Sequence, residues 1–273
     1  NVAVLTYTPN LNFNGSDSFT FKVNDGTLDS DTAEVKITVT PVNDPPTANP
    51  QNINVVEDTA TPITLSGSDP ENAVLTFSIV DEPTHGSLSG TGANQIYTPA
   101  LNYNGPDSFT FKVNDGVLDS APATISIMVT PVNDAPALDL DSGSAGTGFS
   151  TTHSAGKDAT YIAGDNLTIT DPDNTGLASV TVKITNRQHG DKEILDATVP
   201  AGINKSFNDQ TGVLTLTGPA SIADYQTALK SVTYRIKSEV SSPDTTTERS
   251  IEVVVSDGGE PSNTAVSTVK IIA

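Results

Sequence analysis

A repeat constrains this chain more than any other feature. Tyr7 to Gly26 reads YTPNLNFNGSDSFTFKVNDG and Tyr97 to Gly116 reads YTPALNYNGPDSFTFKVNDG, with seventeen of twenty positions identical at an offset of 90. Pro-Val-Asn-Asp recurs at the same offset, as Pro41–Asp44 and Pro131–Asp134. Two long matches at one period define an array of like units.

One full period, residues 45–134, reads as seven short strands: Ile53–Val56, Ile63–Ser66, Leu75–Val80, Ser87–Ser89, Gln95–Thr98, Ser108–Asn114 and Ala123–Thr130. Val, Ile and Thr alternate with polar residues in these runs, and Gly, Pro, Asn and Asp separate them, as in an all-β chain. Seven such strands in ninety residues predict an immunoglobulin-like sandwich. Phe109, Phe111 and Val113 are expected inward on the sixth strand, with Ile125, Ile127 and Val129 facing them from the seventh. Residues 1–44 match the last three strands of that period, Val2–Thr8, Ser18–Asn24 and Ala33–Thr40, and form an incomplete unit whose large apolar face is expected to be covered by another chain, a second copy or the missing strands. Residues 135–273 form a longer, divergent unit that keeps the Asp171-Pro172-Asp173 and Asp257-Gly258 punctuation. There Ser221 is placed to cap one short helix, with Asp224 three residues on and Ile222, Tyr225 and Leu229 on one face.

The formal net charge is −20, from 13 Lys+Arg against 33 Asp+Glu, which disfavours a nucleic-acid partner. No apolar run is long enough to span a membrane as a helix, no signal peptide opens the chain, and an interior piece of a longer protein is expected. Cysteine is absent, which fits export without deciding it. The three histidines, His85, His153 and His189, have no zinc-site spacing, and no nucleophile elbow or phosphate loop occurs. Acidic residues recurring at one offset suit a repeated structural site better than one catalytic pocket, so no enzymatic activity is expected.

The segments Val56-Glu57-Asp58-Thr59, Asp69-Pro70-Glu71, His85-Gly86-Ser87-Leu88, NGPDSFTFKVNDG and PVNDAP resemble the cadherin-like repeats of giant bacterial surface adhesins, the tandem-95 type. LTLTGPASIADYQTALKSVTY and VVVSDGG in residues 135–273 are similar to the related cadherin-like domain of those proteins. The resemblance implies an elongated array of tandem β-sandwiches that binds Ca2+ where repeats join. It places candidate ligands at Asp17, Asn43, Asp44, Asp69, Glu71 and Asp115 for the first junction, and at Glu57, Asp107, Asn133, Asp134, Asp171, Asp173 and Asp257 for the second. One position departs from the cadherin pattern: Pro41 or Pro131 stands two before the linker Asn, where cadherins carry an Asp. Ca2+ takes six to eight oxygens, and carboxylates crowded without a cation repel one another. Asn-Asp-Gly and Asp-Pro-Glu are equally ordinary turn chemistry, so ligand and turn both stay open for each residue.

The implied function is a calcium-rigidified extracellular stalk segment of a surface adhesin, without catalysis. The alternative is that residues 135–273 bind glycan or mediate homophilic adhesion. Expected partners are neighbouring repeats of the same polypeptide and, for the alternative, glycan or another adhesin copy. Neither nucleic acid nor membrane insertion is expected.

Overall fold

The computed structural model describes residues 4–154, 156–238, 240 and 245–272. It divides into two compact units, residues 1–131 and 132–273.

In chain order the strands of the first unit are β1 (Gly15–Phe21), β2 (Ala33–Val39), β3 (Thr47–Ala48), β4 (Gln51–Val56), β5 (Thr61–Thr64), β6 (Gly67–Ser68), β7 (Thr76–Asp81), β8 (Gly86–Thr91), β9 (Asn94–Pro99), β10 (Gly105–Asn114) and β11 (Ala123–Thr130). One sheet runs β4-β11-β10-β7, with β4 parallel to β11 and the other pairs antiparallel. A second runs β5-β9-β8, and β3 pairs with β6. The alternation works as the sequence predicts. Phe109, Phe111, Val113, Ile125, Ile127 and Val129 are all buried, packed with Val55, Ile63, Leu65 and Tyr97. Each large side chain so buried contributes about 1.5–3 kcal/mol.

The pair β1–β2 repeats the register of β10–β11, Phe19 opposite Val35 as Phe109 is opposite Ile125. Its apolar face is not closed: Phe21 is 44% exposed and Val23 62%, where Phe111 and Val113 are at 0%. The expected strand Val2–Thr8 does not form over its described part, residues 4–8. Its counterpart β9 takes its ladder from β5 and β8. No counterparts of those two strands exist within residues 4–44, so the backbone there has nothing to pair with.

The second unit comprises β12 (Ala137–Asp139), β13 (Phe149–Ser154), β14 (Thr160–Tyr161), β15 (Thr168–Thr170), β16 (Gly176–Ile184), a single 3-10 turn Gly190–Lys192, β17 (Glu193–Asp196), β18 (Asn204–Asn208), β19 (Val213–Ser221), α1 (Ile222–Lys230), β20 (Thr233–Ile236), β21 (Arg249–Ser256) and β22 (Ala265–Ile272). A six-stranded sheet, β13-β22-β21-β16-β19-β18, is joined in the fold by β14-β20-β17 and β12-β15. The helix forms where its cap predicts: the Ser221 hydroxyl accepts from the Asp224 amide at 3.1 Å and donates to the Asp224 carboxylate at 2.6 Å. Tyr225, Ala228 and Leu229 are fully buried, and the Tyr225 hydroxyl donates to the carbonyls of Ala178 (2.9 Å) and Gly218 (2.7 Å). Gly218 has φ 135° and lies so close to the Gly202 carbonyl that a Cβ would sit 2.2 Å from that oxygen, so only glycine fits.

A charged pair lies inside this apolar core. Arg249 and Glu193 are both at 0% exposure, with Arg249 Nε donating to Glu193 Oε1. The Tyr234 hydroxyl donates to the same oxygen at 2.9 Å, and the Gln188 amide donates to Oε2 at 3.0 Å. Burial alone would raise the Glu193 carboxyl; the Arg249 charge and these donors outweigh it and hold the group below the usual carboxylate range.

Candidate metal centre

In the first unit the candidate ligands Asn43, Asp44, Asp69, Glu71 and Asp115 are linked by a chain of short contacts. Asp69 opens the turn between β6 and β7, and its Oδ1 accepts from the amides of Glu71 (3.0 Å) and Ala73 (2.9 Å). Its other oxygen, Oδ2, is buried without a hydrogen-bond partner. Glu71 Oε2 accepts from the Asp44 amide at 3.2 Å. Asp115, in the turn after β10, uses Oδ1 to take the amides of Val117 (2.6 Å) and Leu118 (2.7 Å), while Oδ2 accepts from Asn43 Nδ2 at 2.8 Å. The Leu118 amide, the Asn43 side chain and the Val117 amide hold the Asp115 carboxyl below the usual range.

The second unit builds the same arrangement from equivalent residues. Asp171 Oδ1 accepts from the amides of Asp173 (3.0 Å) and Asn174 (2.7 Å), and its Oδ2 is again buried without a hydrogen-bond partner. Asp173 Oδ2 accepts from the Asp134 amide at 2.7 Å, and carboxylate oxygens of Asp134 and Asp173 lie within 4.8 Å of each other. Asp257 Oδ1 takes the Gly259 amide at 2.7 Å. Here the residue that ties the linker to the turns is Asn174, whose Nδ2 donates to Asn133 Oδ1 (3.0 Å) and Asp257 Oδ2 (3.1 Å). The sequence reading did not pick out Asn174; an Asn directly after Asp-Pro-Glu or Asp-Pro-Asp, at Asn72 and Asn174, was the available signal.

The remaining candidates are Asp107, Asp17 and Glu57. Asp107 is 7% exposed and saturated: Oδ1 accepts from the amides of Thr84 (3.1 Å) and Ser108 (2.9 Å), and Oδ2 from the Tyr97 hydroxyl (2.7 Å) and the His85 amide (3.1 Å). Burial raises this carboxyl, but Tyr97 and the amides outweigh it and the group lies below the usual range. Asp17 repeats the contact in its own copy, accepting from the Tyr7 hydroxyl at 2.7 Å and the Ser18 amide at 2.8 Å. In both copies this Asp anchors a tyrosine. The signal was a Tyr ten residues before an Asp in both copies. Glu57 follows β4, is 2% exposed, and has its Oε2 3.5 Å from Asn104 Nδ2.

The donor sets fit a hard cation. All available atoms are carboxylate, amide or backbone oxygens, and Asp69 Oδ2 and Asp171 Oδ2 are buried without a hydrogen bond, which is costly unless a cation meets them. Among the described residues, no Lys or Arg forms a salt bridge with Asp44, Asp69, Glu71, Asp115, Asp171, Asp173 or Asp257.

Residues 1–38 and 43–128 match the family model described as "Bacterial Ig domain". Halomucin of Haloquadratum walsbyi is 34% identical over 127 residues, 44% of this chain and 1% of that protein. Integrin beta-like protein A of Dictyostelium discoideum is 33% identical over 157 residues, 50% of this chain and 8% of its own length. The chain therefore spans only a small part of the curated relatives it matches. Among solved structures, a protocadherin gammaB7 EC3-6 cis-dimer aligns with 95% of this chain and 59% of its own at 17% identity and a TM-score of 0.45. An endo-fucoidan hydrolase of glycoside hydrolase family 107 aligns with 97% of this chain and 35% of its own at 18% identity and a TM-score of 0.30. The residues matched by the bacterial Ig model all lie in the first unit. Among the described residues, no helix is long and apolar enough to cross a membrane, which says nothing of a β-barrel.

Proposed function

We propose that this chain is a calcium-rigidified spacer of a large extracellular surface adhesin, built from residues 1–44, 45–134 and 135–273 as successive cadherin-like repeats and carrying no catalysis. One observation supports this reading above the others: two repeats assemble the same oxygen-only set, each with a buried Asp oxygen left unbonded, Asp69 Oδ2 in one and Asp171 Oδ2 in the other. A repeated site suits a repeated mechanical part. The matches to Halomucin and to integrin beta-like proteins support an extracellular or cell-surface location.

The proposed ligands are Asn43, Asp44, Asp69, Glu71 and Asp115 in the first unit, and Asn133, Asp134, Asp171, Asp173 and Asp257 in the second. Glu57 stays in the proposal as a further buried acidic donor; Asp17 and Asp107 stay as candidates whose Oδ2 also anchors a tyrosine, which makes them weaker donors than the others. When bound, Ca2+ supplies positive charge that offsets the mutual repulsion of the carboxylates. The residues of the chain do the rest. Asp44 and Asp134 sit in the proline-bounded segments Pro41–Pro46 and Pro131–Pro136, and their amides are already hydrogen-bonded to Glu71 and Asp173. Holding their carboxylates as well fixes each linker segment on the repeat that follows it.

Backbone NMR relaxation tests this directly. The amides of Asn43, Asp44, Asn133 and Asp134 are expected to reach order parameters of about 0.85 in calcium and to fall below about 0.6 in chelator. Equal values in the two conditions contradict a stiffening role.

A further inference from the structure

A cleft of about 650 Å3 opens on the second unit, sharing no lining residue with the proposed metal ligands and lined among others by Asp141, Thr151, Thr160, Tyr161, Asp165 and Asn166. Tyr161 is the key residue. The other two tyrosines of this unit, Tyr225 and Tyr234, are fully buried, yet Tyr161 is 59% exposed. Its position on β14, opposite Thr233, leaves a large ring in solvent at the cleft.

The polar part of the cleft is held in place. Asp141 Oδ2 accepts from the Ser144 hydroxyl at 2.8 Å and Oδ1 from the Gly143 amide at 3.3 Å, while the Ser142 hydroxyl donates to the Asn166 carbonyl at 2.7 Å. Gly164 makes this possible, because a Cβ there would lie 2.9 Å from the Asp141 carboxyl carbon. The Thr160 hydroxyl is likewise fixed, donating to the Thr152 carbonyl at 3.1 Å.

We infer that this cleft binds a neutral carbohydrate. An exposed aromatic face stacks on the C–H face of a pyranose, and the fixed Asp141 carboxylate and Thr160 hydroxyl exchange hydrogen bonds with its hydroxyls. Two carboxylates and no Lys or Arg among the lining residues exclude an anionic sugar or phosphate. The lining is too polar for a lipid chain. A cationic peptide is the competing ligand, but Asp141 already spends acceptor capacity on Gly143 and Ser144, which favours the uncharged polyol. This goes beyond the spacer reading and needs no metal.

The test is saturation-transfer NMR on the 273-residue chain in chelator, so that failure of the calcium reading leaves it untouched. The probes are neutral gluco-, manno- and galacto-oligosaccharides, a uronic-acid oligosaccharide and an oligolysine peptide, each up to about 10 mM. At least one neutral sugar is expected to bind, on the order of 1 mM for a site with one ring. Tyr161→Ala is expected to weaken that binding about tenfold with the melting temperature unchanged, and Tyr161→Phe to keep it. Binding of oligolysine alone, binding of no probe, or sugar binding indifferent to Tyr161→Ala overturns the inference.

Discussion

Glu193→Ala is expected to destabilise the second unit by about 3–5 kcal/mol, the cost of removing the carboxylate that a buried guanidinium meets. Arg249 is completely buried, and Glu193 is the carboxylate that its Nε meets. Truncation also strands the Tyr234 hydroxyl and the Gln188 amide. Because the folded Glu193 carboxyl lies below its ordinary value, its stabilising contribution is present above the unfolded carboxylate pKa and disappears as pH falls through the folded one. Acid unfolding of this unit is therefore expected to begin below about pH 4. Urea titration of the single variant, and of Glu193→Leu with Arg249→Met, reads out the argument. The double variant is expected to regain most of the loss, since an apolar pair of similar volume needs no compensation. A single-variant loss under about 1 kcal/mol, the range of an exposed pair, contradicts it.

Asp107→Ala is expected to cost the first unit about 3–4 kcal/mol, because four donors lose one acceptor together and the Tyr97 hydroxyl is left in the core. Tyr97 itself is at 0% exposure, and its hydroxyl is raised above its ordinary value first by burial and then by Asp107. The informative comparison is between calcium and chelator. A residue that anchors a tyrosine loses the same stability in both, whereas a metal ligand loses it chiefly in calcium. Equal loss, by thermal unfolding in each condition, is the expected result. A loss confined to calcium would make Asp107 a metal ligand first. Its charge adds a second signature: the folded carboxyl is depressed, so the contribution is lost as pH falls below the ordinary Asp value of about 3.9.

The strands and their inward faces were legible because a period of two leaves no freedom: once Phe109 faces the core, Phe111 and Val113 must follow. The capped helix was legible for a similar reason, since Ser221 and Asp224 satisfy each other locally. What depended on partners far along the chain was not legible. Residues 4–8 carry the same Val, Thr and Tyr chemistry as a strand, but a strand forms only where another strand supplies its hydrogen bonds. Among the acids, the resemblance grouped Asp69 with Glu71 and Asp171 with Asp173, and each pair does share one short turn in the fold. The Tyr97–Asp107 hydrogen bond was not legible, because it joins successive strands across a turn and only the fold brings the two groups together. Tyr161 was visible as a residue but not as a surface, because β14 is two residues long and no periodicity declares which way it faces.

Calcium binding itself tests the central claim most directly. Isothermal titration of the 273-residue chain, stripped with chelator, is compared with Asp69→Asn, Asp171→Asn and the double variant. The wild type is expected to bind Ca2+ saturably and to gain about 2.7 kcal/mol of stability at a hundredfold excess over the dissociation constant. Each single variant is expected to lose the binding of its own unit alone, and the double variant to lose both while keeping its stability in chelator. A wild type that takes up no calcium at millimolar concentration, or a double variant that binds as the wild type does, contradicts the account.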